Sequence, residues 1–162
     1  MSKELIETFF STPIYITEKP EWVSDTNKFC QPYLDESHLA HQSEVKRLGN
    51  DFGLVYHSTS IEDDPNLKYL TDWVGQTAHK VMTEWGADLS NHTLIYESMW
   101  VQEFPKDGGG HHRIHIHENC HVSGFYFLEN DKASFPLFHD PRPGAAMMAL
   151  PEQNKGDVSF YS

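Results

Sequence analysis

LIYESMWVQEF at 94–104, PKDGGG at 105–110 and HVSGFYFLE at 121–129 decide how this chain reads. The outer runs are rich in β-branched and aromatic residues with period-two alternation, and the glycine-rich piece between them is a turn. The pattern therefore predicts two strands joined by a bend. FPLFHDPRPG at 135–144 predicts a further short strand running into a Pro/Gly turn, and GDVSFYS at 156–162 opens another, inside which the sequence ends.

Upstream the signals change. ETFFSTPIYI at 7–16 predicts an entering strand or extended arm, which Pro13 confines to a sheet edge. A short helix is expected over 24–31, capped by Ser24 or Asp25 and stopped by Pro32. Residues 35–62 are polar and turn-rich and read as loop, with one strand in DFGLVYHS. The clearest helix is expected over 65–85: Asp63 or Asp64 caps it, Pro65 takes the first position and Gly86 follows its end. Leu67, Leu70, Val74, Ala78, Val81, Met82 and Trp85 fall on one helical stripe, predicting a helix that covers a sheet. The chain thus reads as a single domain over 1–162, with a helical layer over 1–92 and strands over 93–162. The expected class is mainly β with flanking helices, a jelly-roll or barrel-like β-sandwich.

Composition narrows the function. Hydrophobic residues make up 38% of the 162, enough for a core. A formal net charge of −12 disfavours nonspecific nucleic-acid partners and anionic membrane surfaces. No signal-peptide pattern or spanning apolar run is present, and two cysteines point to a reducing compartment, so a cytoplasmic location is expected.

Histidine is the unusual residue: eleven in all, five of them between His111 and His121. In an extended segment residues two apart point the same way, so His115 and His117 can reach one metal ion. Gly108, Gly109 and Gly110 let the chain bend just before them. A solvated histidine-rich loop is the plain alternative. His111 and His112 point in opposite directions and read as loop or substrate-side residues. His121 shares the parity of the pair, across an interruption at Glu118, Asn119 and Cys120. A zinc site would need a second thiol near Cys120, and none is present at short spacing.

His115-x-His117, with SGFYFL at 123–128, resembles the motif of a family of 2-oxoglutarate/iron(II)-dependent oxygenases met in bacteria and marine phages, whose members read H-x-H-P and, a few residues later, S-G-V-Y-Y-L. FSTPIY at 10–15, the run ending at Trp100 and FHDPR at 138–142 support the likeness. The resemblance implies a double-stranded β-helix of cupin-like jelly-roll form. It also implies Fe(II) held by His115 and His117, and 2-oxoglutarate as cosubstrate. Related oxygenases place a carboxylate where His117 stands, so an all-histidine face, or one imidazole held behind the other, is implied. Glu118, adjacent in the chain, faces away. By the same pattern the distal histidine and the arginine that grips 2-oxoglutarate lie beyond Ser162, and His139 and Arg142 come too early for those roles. The chain accordingly reads as a fragment, or as a shortened and inactive homologue. Tyr96 and Tyr126 are the residues that would hydrogen-bond a cosubstrate. Trp100, Phe125 and Phe127 would wall the site, although core packing is the favoured reading for all three. If phage-encoded, the protein would act in the host cytoplasm. Its substrate, small molecule or protein, is left open, and a homo-oligomer is allowed.

Two rivals stand beside this. One is a cupin-type metalloprotein without 2-oxoglutarate: Gly109, His115 and His117 fit the first cupin motif, but His121 stands where glutamate is expected. The other is a non-enzymatic β-sandwich serving as a binding or structural module.

Overall fold

The computed structural model describes residues 12–106, 108–130 and 136–138. Helices dominate. A 3₁₀ turn over Pro20–Trp22 leads into α1 (Val23–Leu48), and a second over Pro65–Leu67 leads into α2 (Lys68–Glu84). β1 (Tyr56–His57) pairs antiparallel with β2 (Gln102–Glu103), the one sheet among the described residues.

α1 is far longer than the helix expected over 24–31. Pro32 lies on its exposed side. A proline there forfeits one helical hydrogen bond and crowds the preceding turn, a penalty of about 3 kcal/mol in an isolated helix. Helix formers on either side, and a stripe of Thr26, Cys30, Leu34 and Ser37 buried at helical spacing, outweigh it. Asp25 near the start and Lys46 and Arg47 in the last turn suit the helix dipole. The stop comes at Gly49, whose φ of 78° lets its N–H reach the Val45 carbonyl at 2.8 Å. Residues 35–48, expected to be loop, are therefore helix.

α2 and its lead-in turn follow the expected signals closely. The Asp64 carboxylate accepts from the Asn66 amide at 2.8 Å, Pro65 opens the turn, and Gly86 sits at φ 93° just beyond the end. Leu67, Leu70 and Val81 are buried, whereas Trp85, placed on the same stripe, is 52% exposed. The start of α2 packs on the start of α1. Trp22 meets Tyr69 and Trp73 edge to face, and the Thr26 and Tyr69 hydroxyls are hydrogen-bonded at 2.6 Å. The core is one cluster of Cys30, Leu34, Ile61, Leu67 and Val101, with Phe29, Tyr33, Met99 and Leu128 against it.

The jelly roll is not what forms. Of the run at 94–104 only Gln102 and Glu103 enter a ladder, and residues 121–129 join no sheet among the described residues. Strand-like composition marks side chains that suit a half-buried pleat, but a strand exists only where another backbone takes up its N–H and C=O groups. Ile95 at 83% and Phe125 at 63% exposure lack the burial that the alternation implies. Residues 136–138 and 12–16 carry no regular structure. The rest of the strands expected at 7–16 and 135–144, and all of the one at 156–162, lie outside the described residues. The sheet that α2 was expected to cover is likewise replaced by the contact with α1. No described helix is long and apolar enough to cross a membrane.

Beyond its two paired residues the ladder continues irregularly. The Ser58 amide donates to the Val101 carbonyl at 3.0 Å, and the Val101 amide to the Ser58 hydroxyl at 3.0 Å. The Ile61 amide reaches the Met99 carbonyl at 2.8 Å, and the Met99 amide the Glu62 carboxylate at 3.1 Å. Side chains here supply acceptors that a regular strand would offer from its backbone. The result is a well-anchored run from Met99 to Glu103 under the histidine-rich segment.

Candidate metal centre

The register of the small sheet builds the floor of the site. His57 pairs with Gln102, while Tyr56 pairs with Glu103. Alternation sends these pairs to opposite faces. Tyr56 is buried against α1, where His38 and His41 pack edge to face on its ring at 4.0 and 5.5 Å. Glu103 lies 3.5 Å from His38 Nε2 on that side. The other face carries exposed His57, half-buried Gln102 and, two residues back, Trp100.

Glycine brings the histidine-rich segment over this face. Gly108 and Gly109 sit at φ 81° and 77°, and the Gly53 amide donates to the Gly108 carbonyl at 2.8 Å. A Cβ on Gly110 would stand 2.5 Å from the Leu54 carbonyl oxygen, so only glycine lets the segment lie so close.

The rings then gather. His115 and His117 have centroids 5.1 Å apart with planes at 64°, and His112 lies 5.6 Å from His115. His117 stacks on Trp100 at 5.8 Å, and His57 stacks on the same indole at 4.9 Å. Ile114 and Ile116 are 76% and 80% exposed, the histidines beside them are exposed too, and no strand forms over residues 111–119. Partial desolvation lowers the pKa of His112, and the neighbouring His115, His57, His111 and His117 lower it further. These five imidazoles therefore occupy one electrostatic neighbourhood.

Hydrogen bonds fix which nitrogen each ring offers. A carbonyl oxygen only accepts, so a ring nitrogen facing one carries the proton. His115 donates from Nδ1 to the Arg113 carbonyl at 2.6 Å, and His57 from Nδ1 to that of Ser58 at 2.9 Å. His111 donates from Nδ1 to the Gly109 carbonyl at 3.1 Å. In their neutral forms all three keep the Nε2 lone pair for another partner. His112 is set the other way, its Nε2 against the Gln102 side-chain oxygen at 2.9 Å. Metal-binding histidines are oriented by such bonds from the nitrogen that does not ligate.

The centroid spacing of the imidazole pair falls in the range that two rings on one divalent transition-metal ion would show. Two rings bound at ~2.1 Å to one such ion have centroids roughly 4.5–5.3 Å apart, which brackets the 5.1 Å of His115 and His117. Among the described residues no set of three His, Cys, Asp or Glu side chains is poised for one ion, so the pair would leave most coordination positions to other ligands.

Comparison with protein-family models, curated proteins and solved structures finds no match.

The remaining sequence-expected residues lie elsewhere or do other work. The Tyr96 hydroxyl donates to the Thr71 carbonyl on α2, and that of Tyr126 to the Lys19 carbonyl at 2.6 Å, so both O–H groups are committed to backbone. Burial raises the pKa of each. Phe125 and Phe127 stack on one another at 6.4 Å, both at least half exposed, and are neither core nor an enclosed wall. Cys120 is half-buried and His121 exposed. His139 and Arg142 lie outside the described residues. Reading the sequence alone missed His57 and Gln102: His57 sits in the expected strand DFGLVYHS, but only the pairing with Gln102 shows which face it shares with the loop.

Proposed function

We propose that this chain binds a divalent transition-metal ion through His115 and His117, and that the ion serves as Fe(II) in 2-oxoglutarate-dependent oxidation of a substrate C–H bond. The observation that carries the metal reading is the 5.1 Å spacing of two rings, one of which is already held by its Nδ1–H with Nε2 free. Imidazole suits iron, nickel, copper and zinc alike, so the choice of Fe(II) and of 2-oxoglutarate rests on the H-x-H…SGFYFL resemblance. Bound together, these two would activate dioxygen, which is the oxidant; the chain's part is to hold and orient. The Arg113 carbonyl fixes the His115 ring. Two free cysteines accord with the reducing cytoplasm in which Fe(II) persists.

The openness of the cluster favours a second reading. Every residue from His111 to Asn119 is exposed, whereas an oxygenase excludes water from its reacting centre. A metal-binding surface with no oxidation step needs no such exclusion.

Anaerobic addition of Fe(II) and then 2-oxoglutarate separates the two. The oxygenase reading expects Fe(II) uptake, then a visible charge-transfer band that appears with 2-oxoglutarate and is absent from His115→Ala and His117→Ala. Fe(II) uptake with no band leaves the metal-binding surface. Unchanged uptake in both variants removes the site altogether.

A further inference from the structure

Trp100 stands where three parts of the cluster meet, on the most firmly held backbone near it. Its neighbours Met99 and Val101 both donate and accept across the small sheet, through Glu62, Ile61 and Ser58. Val101 is buried in the core. The Trp100 Nε1–H makes a long bond of 3.4 Å to the Gln102 side-chain oxygen, which also takes His112 Nε2. By contrast the polar contacts of the His111, His112 and His115 rings run to their own segment or to Gln102, and His117 is tied to the protein by its stack on Trp100 at 5.8 Å and 29°.

We propose that Trp100 is the positioning residue of the histidine pair: its indole face sets the plane of the His117 ring so that this ring and His115 address the same ion. This rests on the metal reading above and adds a residue that touches no metal itself. An exposed imidazole on a loop samples several rotamers, and binding must select one of them. A flat apolar surface anchored to the core restricts that choice beforehand, as outer partners do for metal ligands generally, where their loss weakens metal affinity about 10–100-fold. His57, stacked at 4.9 Å and 25°, braces the indole.

The test uses Ni(II), a redox-quiet probe for imidazole sites, titrated calorimetrically into the full chain and into the variants Trp100→Ala and Trp100→Phe. The expected result is binding weakened about tenfold in Trp100→Ala and restored close to the original by Trp100→Phe, which keeps a flat ring. Fluorescence gives an independent reading: Ni(II) should quench a share of tryptophan emission that Trp100→Phe lacks. Affinity unchanged in Trp100→Ala overturns the proposal. So does a Trp100→Phe protein as weak as Trp100→Ala when both melt at the original temperature. Should Trp100→Ala fail to fold, equal quenching in the original and Trp100→Phe proteins overturns it alone. If the original chain takes up no Ni(II), the metal reading itself fails, and that failure is visible before any variant is compared.

Discussion

α2 and the run from 94 to 130 carry equally legible patterns, yet only α2 folds as its pattern says. A helix closes its hydrogen bonds within the segment, so a cap, a stripe and a terminal glycine largely describe it. A strand owes half its bonds to a partner elsewhere in the chain. Alternation in 94–104 and 121–129 records what each side chain would tolerate, not whether a partner arrives. Where one does arrive, at Tyr56 and His57, it brings the unforeseen residue His57 to the site.

The sharpest way to probe this contrast is to compare the two thiols, one in each region. Cys30 sits on the buried stripe of α1, where burial first and the Asp64 charge second raise its pKa to about 11. Only about 0.1% of such a thiol is ionised at pH 8, against about 10% for an ordinary thiol of pKa near 9, and only the thiolate reacts. Cys120 is only half-buried, in the histidine-rich segment. An aromatic disulfide reagent at pH 8 should release one equivalent of chromophore quickly and the second at least ~100-fold more slowly, unless denaturant is added. Two equal fast phases would mean that the α1 stripe is not sealed.

Side-chain truncation compares the regions by stability. Leu67 is fully buried in the core, so Leu67→Ala should cost about 2–5 kcal/mol and lower the melting temperature by roughly 5–15 °C. Phe125→Ala, in a segment where the ring is 63% exposed, should move it far less, within the ~0.5 kcal/mol usual for exposed positions. Equal losses would show that 121–129 is packed after all, as a sheet-based fold requires.

What could be read from the sequence divides along the same line. Asp64, Pro65 and Gly86 bound α2 because their effects act within a few residues. Pro32 misled because its local penalty is real but is outweighed by the burial of Cys30 and Leu34, which no local pattern reveals. At the site, the nearness of His115 and His117 and the need for glycine before them could be read from spacing, but the strand expected to carry the pair does not form. Trp100 was considered as wall or core, and is instead the surface on which His57 and His117 stack. That role depends on a register that pairs Tyr56 with Glu103 and His57 with Gln102, which composition does not encode.

The smallest expected effect tests the best-read junction. Asp64 caps the turn into α2 through the Asn66 amide and ties it to α1 by accepting from the Tyr33 hydroxyl at 2.8 Å. These bonds, the one from the Asn66 amide foremost, favour the carboxylate and lower its pKa. A carboxyl whose pKa is lower folded than unfolded contributes stability above the unfolded value, near 3.9, and loses it as pH falls through the folded value. Asp64→Ala should therefore cost about 1 kcal/mol at neutral pH, with the difference from the original protein shrinking below about pH 4. Asp64→Asn keeps an acceptor for the amide and should recover much of the loss near neutrality while lacking the acid-dependent part. Denaturant melts of the three proteins at pH 7 and pH 3 measure both. A deficit in Asp64→Ala that stays the same at both pH values would mean the ionised form is not what joins the two helices.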